Sequence, residues 1–167
     1  MKLFKFLSAT IATTLMLGSM AFALDVGQSA PCVVLDHTQN GVDSSHCIRE
    51  PQVEGRPVLI EFFSITCSDC MKNLPRVKAL AQALQGQATV RLISIDRDVN
   101  KVREYIQANK IDLEVAFDSN RDARKAYGVS VTPTLFILDQ ENTIAEKHTG
   151  VLSEKDLMQI IEKVQGL

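Results

Sequence analysis

The chain has 167 residues, which suits one domain after a leader segment, and 46% of them are hydrophobic. That fraction supports a packed core and excludes a disordered chain. With 23% charged residues, a net charge of −2 and no basic block, the sequence excludes nucleic acid as the main partner.

Lys2 and Lys5 open the chain, and no charge follows from Phe6 to Leu24. Ala21-Phe22-Ala23 gives the small-x-small pattern that signal peptidase cuts, so residues 1–23 read as a signal peptide and 24–167 as the folded domain. The uncharged run is also long enough to span a bilayer, so an uncleaved anchor stays open as a reading. Ser8, Thr10, Thr13, Thr14 and Ser19 weaken it as a span and favour cleavage. Either way the domain is expected outside the cytoplasm, in the periplasm for a bacterial host, and it meets a membrane only if the segment is uncleaved.

Cys32 to Leu35 reads as a short strand, Thr38-Gln39-Asn40-Gly41 as a turn and residues 44–48 as a returning strand, Asn-Gly being a strong hairpin signal. Val58 to Phe63 is an apolar run between breakers, hence a buried strand. From Met71 to Leu84 the spacing of Leu74, Val77, Leu80, Ala81 and Leu84 predicts a helix that Pro75 should kink. A strand over 89–95, a helix over 102–108, a strand over 113–117 and a helix over 121–127 follow. Thr134 to Leu138 and Thr143 to Lys147 make a second hairpin, and Ser153-Glu154-Lys155-Asp156 starts a last amphipathic helix through Val164. This order predicts an α/β fold with a mixed sheet.

All four cysteines, Cys32, Cys47, Cys67 and Cys70, lie in the exported part. An even count there reads as disulfides. Zinc would need two closely spaced pairs, and only Cys67 and Cys70 have that spacing, so no metal and no cofactor is assigned. Cys67-Ser68-Asp69-Cys70 stands at a strand-to-helix junction. The first cysteine of such a motif lies at the helix N-terminus, where free N–H groups and the helix dipole favour its thiolate, the nucleophile of disulfide exchange. The second lies one turn in and attacks the mixed disulfide to release the partner. Asp69 brings a negative charge close to Cys67, which should disfavour the thiolate and make the dithiol a better reductant.

Glu61 is an acid inside an apolar strand, six residues before Cys67. A buried carboxylate is costly, so it should be neutral or hydrogen-bonded, and its expected use is to move the proton of Cys70. Thr132-Pro133 immediately precedes a strand, a position that suits either a strand start or a cis bond. Cys32 and Cys47 are expected to form a structural disulfide across the first hairpin. A two-residue turn would set Val34 opposite Cys47, leaving Cys32 diagonal to it at roughly 7–8 Å between Cα atoms. That is at or beyond disulfide reach, so a bulge or irregular turn over residues 37–45 would be needed. A second redox pair that passes electrons to Cys67 and Cys70 is the rival reading.

The sequence resembles the thioredoxin superfamily, and more narrowly the TlpA/ResA-like periplasmic thiol-disulfide oxidoreductases, over most of residues 26–165. The resemblance rests on Ala30-Pro31, on residues 55–63 before the CxxC, on Pro75, and on Asp118 with Ala126-Tyr127-Gly128-Val129. Thr132 to Asp139 and Gly150 complete it. It implies a thioredoxin fold, a mixed central sheet flanked by helices, with an N-terminal hairpin and a helix-strand insertion at 102–117. It further implies that Pro133 is cis and lies beside the CxxC, where Thr132 and Pro133 would bind substrate, and that Glu61 is the buried acid of thioredoxin. Partners would be cysteine-containing exported proteins and a redox partner that recycles the CxxC. Thr66 and Phe63 stand where the family often has Trp, and Asn73 replaces an acid that some ResA-like proteins carry.

Two other functions share this scaffold. A peroxiredoxin-like peroxide reductase needs a Pro-x-x-x-Thr/Ser-x-x-Cys loop, for which Ser64 fits but Ile60 stands at the Pro position. A copper-binding protein would use the thiolates with a His such as His148, which reads instead as a solvated hairpin residue. His37 and His46 read as surface residues.

Overall fold

The structure, a computed structural model, describes residues 24–51 and 54–167. The signal segment read over residues 1–23 lies outside the described residues.

Asn40 and Gly41 both have positive φ, 51° and 80°, as a two-residue hairpin turn matched to strand twist requires. They join β1 (Val34–Gln39) to β2 (Val42–Cys47). Next come β3 (Val58–Phe63), α1 (Ser68–Ala83), β4 (Thr89–Ser94), α2 (Val99–Ala108), β5 (Glu114–Phe117) and α3 (Asp122–Ala126). The chain closes with β6 (Thr134–Leu138), β7 (Ile144–Thr149) and α4 (Glu154–Gln165). The helix predicted over 71–84 begins three residues earlier, directly behind the first cysteine of the CxxC, and runs on through Pro75. Ser153 caps α4 and Asp156 returns the bond to the Ser153 backbone, the reciprocal cap that the sequence predicts.

The strands form one seven-stranded sheet in the order β2-β1-β5-β4-β3-β6-β7. β3, β4 and β5 are parallel, and the remaining pairs are antiparallel, so the sheet is mixed. The crossovers β3-α1-β4 and β4-α2-β5 place both helices on one face, where Leu59, Leu92, Val115 and Leu135 pack against Val77 and Leu80 of α1, Val102 of α2 and Ile160 of α4. On the other face Phe62, Phe136 and Tyr127 form an aromatic cluster with ring centroids 5.2–6.0 Å apart. All six residues of β3 are buried, which is why it reads as an unbroken apolar run.

Cys32 and Cys47 are joined as a disulfide with Cα atoms 5.4 Å apart. The expected obstacle is real in the ladder, where Val34 does face Cys47. It is overcome at the strand entry rather than in the turn. β1 starts only at Val34, the Val33 carbonyl still accepts from Ile48 N–H at 3.0 Å, and Tyr127 Oη donates to the Pro31 carbonyl at 3.0 Å. The chain before Val33 therefore leaves the ladder and carries Cys32 back to Cys47. Closing 15 residues of sequence is worth about 3 kcal/mol on the loop-entropy argument. A Cys32→Ala/Cys47→Ala variant is expected to unfold at clearly lower urea while Cys67 keeps its reactivity. An unchanged midpoint would deny the bond a structural role.

Two surface assignments are corrected. His37 is fully buried, because β1 is an interior strand between β2 and β5 and its ring is covered by that of His46. His46 is only partly exposed, with its ring stacked on His37 at 3.8 Å between centroids. His148, expected in solvent, is half-buried on β7, and its Nε2 makes no hydrogen bond.

Candidate active site

Strand β3 ends at Phe63, at the carboxyl end of the parallel strands, and residues 64–66 turn the chain into α1. That turn is pinned by Asp96, just beyond β4. Its carboxylate accepts from Ser64 Oγ at 2.7 Å, from Ile65 N–H at 3.0 Å and from Ser94 Oγ at 2.8 Å. Asp96 carries no signature in the sequence beyond a polar residue at a strand end.

Cys67 is the N-cap of α1, and Cys70 N–H donates to its Sγ at 3.2 Å. The two cysteines form a disulfide, with Cα atoms 5.3 Å apart, so the structure shows the oxidised state. Cys67 is half-exposed, whereas Cys70 is 2% exposed. Asp69 is exposed and pairs with Lys72 at 2.8 Å. The charge that the sequence places next to Cys67 therefore has a counter-ion one turn along.

The Thr132–Pro133 peptide is cis, and the Thr132 carbonyl oxygen lies 3.4 Å from Cys67 Sγ. The loop before β6 is thereby brought over the sulfur pair. Val131, next to it, is half exposed to solvent.

Glu61 lies in β3 between Leu135 of β6 and Leu92 of β4, and it is 1% exposed. Burial raises its pKa from 4.5 to about 8, against the pull of a hydrogen bond from Asn73. That bond, Asn73 Nδ2 to Glu61 Oε2, is 2.8 Å. The Asn73 carbonyl oxygen in turn accepts from Leu152 N–H at 2.8 Å. Asn73 is three residues after Cys70 on α1, so both sit on one face of the helix, and Asn73 joins that face to Glu61 of β3. The sequence singles out Glu61 but gives Asn73 only as a departure from a family pattern. Its spacing from Cys70 on the helix is the signal that would have found it.

The readings that need other chemistry lack their parts. Ile60 is in the middle of β3, laddered on both sides, and so belongs to no peroxide-binding loop. Ser64 Oγ is engaged by Asp96. Among the described residues no His, Asp or Glu joins the Cys67 and Cys70 sulfurs in a three-ligand cluster. His148 stands on β7, two strands from Glu61.

Residues 26–147 match the AhpC/TSA family. The sporulation thiol-disulfide oxidoreductase A of Bacillus subtilis strain 168 is 26% identical over 139 residues, covering 81% of this chain and 81% of its own. The thiol-disulfide oxidoreductase ResA of Bacillus cereus strain ATCC 10987 / NRS 248 is 24% identical over 162 residues, 95% of this chain and 90% of its own. The crystal structure of StoA from Bacillus subtilis superposes with a TM-score of 0.64 at 24% identity, covering 80% of this chain and 97% of that one. The family match takes in the first hairpin, the CxxC, the insertion and the cis-proline loop, so the chain belongs to the AhpC/TSA family, and it is a thiol-disulfide oxidoreductase with a thioredoxin fold.

Proposed function

We propose that this protein is exported and exchanges disulfides with cysteine-containing exported proteins, Cys67 attacking and Cys70 resolving. The observation that carries the reading is the asymmetry of the pair. Cys67 is half-exposed at the helix terminus with a backbone N–H on its sulfur, and Cys70 is buried behind it. Export is supported by the pattern of residues 1–23 and by the Cys32–Cys47 bond, since disulfides persist in oxidising compartments. No described helix is long and apolar enough to cross a membrane.

In the reductive direction the Cys67 thiolate attacks a partner disulfide. A bond forms between Cys67 Sγ and one partner sulfur, and the other leaves as a thiolate that takes up a proton. Cys70 then gives its proton to the Glu61 carboxylate and attacks Cys67 Sγ. The mixed disulfide breaks, the partner's second sulfur leaves as a thiolate that takes a proton from Glu61 or from water, and the Cys67–Cys70 disulfide remains. A donor of two electrons and two protons restores the dithiol, which is the work of a separate redox partner. A group with pKa near 8 is suited to this proton transfer near neutral pH. Thr132 and Pro133 would seat an extended partner segment by backbone pairing, with exposed Val131 as an apolar contact.

Limited alkylation of the reduced protein at pH 7 tests the assignment. Cys67 is expected to label at least about tenfold faster than Cys70. Faster labelling of Cys70 would reverse the two roles.

A further inference from the structure

The Asn73 side chain is buried between two groups that ask opposite things of it. The Leu152 N–H can only donate, so the oxygen that stands 2.8 Å from it is the amide carbonyl, Oδ1. The other end of the amide is then Nδ2, which can only donate, and it stands 2.8 Å from Glu61 Oε2. A flipped amide would set a donor against the Leu152 N–H and a carbonyl against the Glu61 carboxylate, losing both bonds. The orientation is therefore fixed from both sides.

Both ends of this bridge lead to the cysteine pair. Asn73 belongs to α1, which carries Cys70. Leu152 lies in the loop between β7 and α4, and in the same loop the Gly150 N–H donates to the Pro133 carbonyl at 2.9 Å. That proline closes the cis peptide whose Thr132 carbonyl stands 3.4 Å from Cys67 Sγ. Around Glu61 itself the cross-strand neighbours are apolar, Leu92 of β4 and Leu135 of β6. His148 of β7 lies beyond Leu135 in the same row. Burial and the Asn73 bond set the proton affinity of Glu61, burial raising it and Asn73 opposing. A donor on Oε2 favours the carboxylate and leaves Oε1 as the oxygen that takes up a proton.

We propose that Asn73 is a positioning residue of disulfide exchange, holding Glu61 by Oε2 in the form and orientation that take the Cys70 proton on Oε1. The inference rests on the exchange reading given above and adds a residue to it. Asn73 neither attacks nor exchanges a proton. It acts through Glu61, because an amide donates at one end and accepts at the other. A role confined to holding the Leu152 loop would use only the accepting end.

Asn73→Leu tests this, since leucine is close to asparagine in size and leaves no room for a water to replace the donor. Carbon-13 NMR follows the Glu61 carboxyl in the oxidised protein, where neither cysteine titrates. The wild-type midpoint is expected near 8, and that of Asn73→Leu about one to two pH units higher. Less carboxylate is then present at pH 7. Resolution of a mixed disulfide preformed between Cys67 and glutathione should slow there about three- to tenfold, and the gap should close as pH rises. Asn73→Leu/Glu61→Gln should resolve no more slowly than Glu61→Gln. If Asn73→Leu does not fold, Asn73→Asp keeps an oxygen for the Leu152 N–H but sets a second carboxyl beside Glu61, and the last proton of that pair should leave above the wild-type midpoint. An unmoved midpoint would overturn the proposal and confine Asn73 to the loop, and a double variant slower than Glu61→Gln would overturn it equally. The titration needs no partner. A wild-type protein that resolves no mixed disulfide would therefore refute the exchange reading separately.

Discussion

Cys70→Ser protein, reduced and exposed to oxidised partner proteins, is expected to accumulate mixed disulfides through Cys67, whereas Cys67→Ser is expected to form none. The exposed sulfur is the only one of the pair that a second protein can reach in line, because Cys70, in the first turn of α1, is 2% exposed. Removing Cys67 deletes the attacking bond itself, and disulfide turnover should fall on the order of 10³-fold or more. Removing Cys70 leaves attack intact and deletes only resolution, so the partner stays bound and can be identified by mass spectrometry. Mixed disulfides trapped by Cys67→Ser through Cys70 would contradict the assignment. Trapping only small thiols, with no protein partner, would count against protein substrates.

Much of this site is visible in the sequence because each part obeys a local rule. The strand before the CxxC is apolar at every position but one, since both faces of the sheet cover it, and the exception is Glu61. The Asn40-Gly41 turn and the Ser153 cap are short-range chemistry and stand where the sequence puts them. The hairpin is legible in the same way, but its consequence for Cys32 is not. The ladder register predicts a diagonal pair, whereas an entry segment held by Tyr127, 96 residues away, decides the approach.

The histidine group is illegible for a related reason. In β1 and β2 the residues from Asp36 to His46 are mostly polar, the pattern of an exposed hairpin. What buries His37 is the insertion of β5 between β1 and β4, so that Glu114 comes to lie beside Arg91 and His37. Periodicity reports which faces of one strand are alike, but not which strand will be its neighbour. Asn73 escapes for the opposite reason. One polar residue on an amphipathic helix reads as a solvent position, and only the placement of Glu61 across from it makes it a buried bridge to Leu152.

Glu61→Gln is expected to make the protein more stable at alkaline pH and slower in exchange at neutral pH. The carboxylate sits at about 8 in the fold because burial penalises its charge, with the Asn73 N–H bond opposing, against 4.5 when unburied. Between those two values the folded protein keeps a proton that the unfolded chain has released. Wild-type stability must therefore fall as pH rises through that window and level off above it, by up to about 1.4 kcal/mol per pH unit. The substituted amide carries no proton to lose in this range, and its carbonyl oxygen can still accept from Asn73, so the part of the slope that Glu61 contributes should vanish in the variant. Urea midpoints at pH 5, 7 and 8.5 measure the difference. The kinetic effect has its own pH signature. Near pH 7 the Cys70 thiol needs a base to lose its proton, and loss of that base should slow resolution of a mixed disulfide about 10²-fold. Above the pKa of the thiol the sulfur ionises without help, so the rates of wild type and variant should converge. An equal pH slope of stability in both proteins would mean that Glu61 is not the buried titrating group. A resolution rate unchanged at pH 7, with the stability slope lost, would leave Glu61 a buried acid with no part in moving the Cys70 proton.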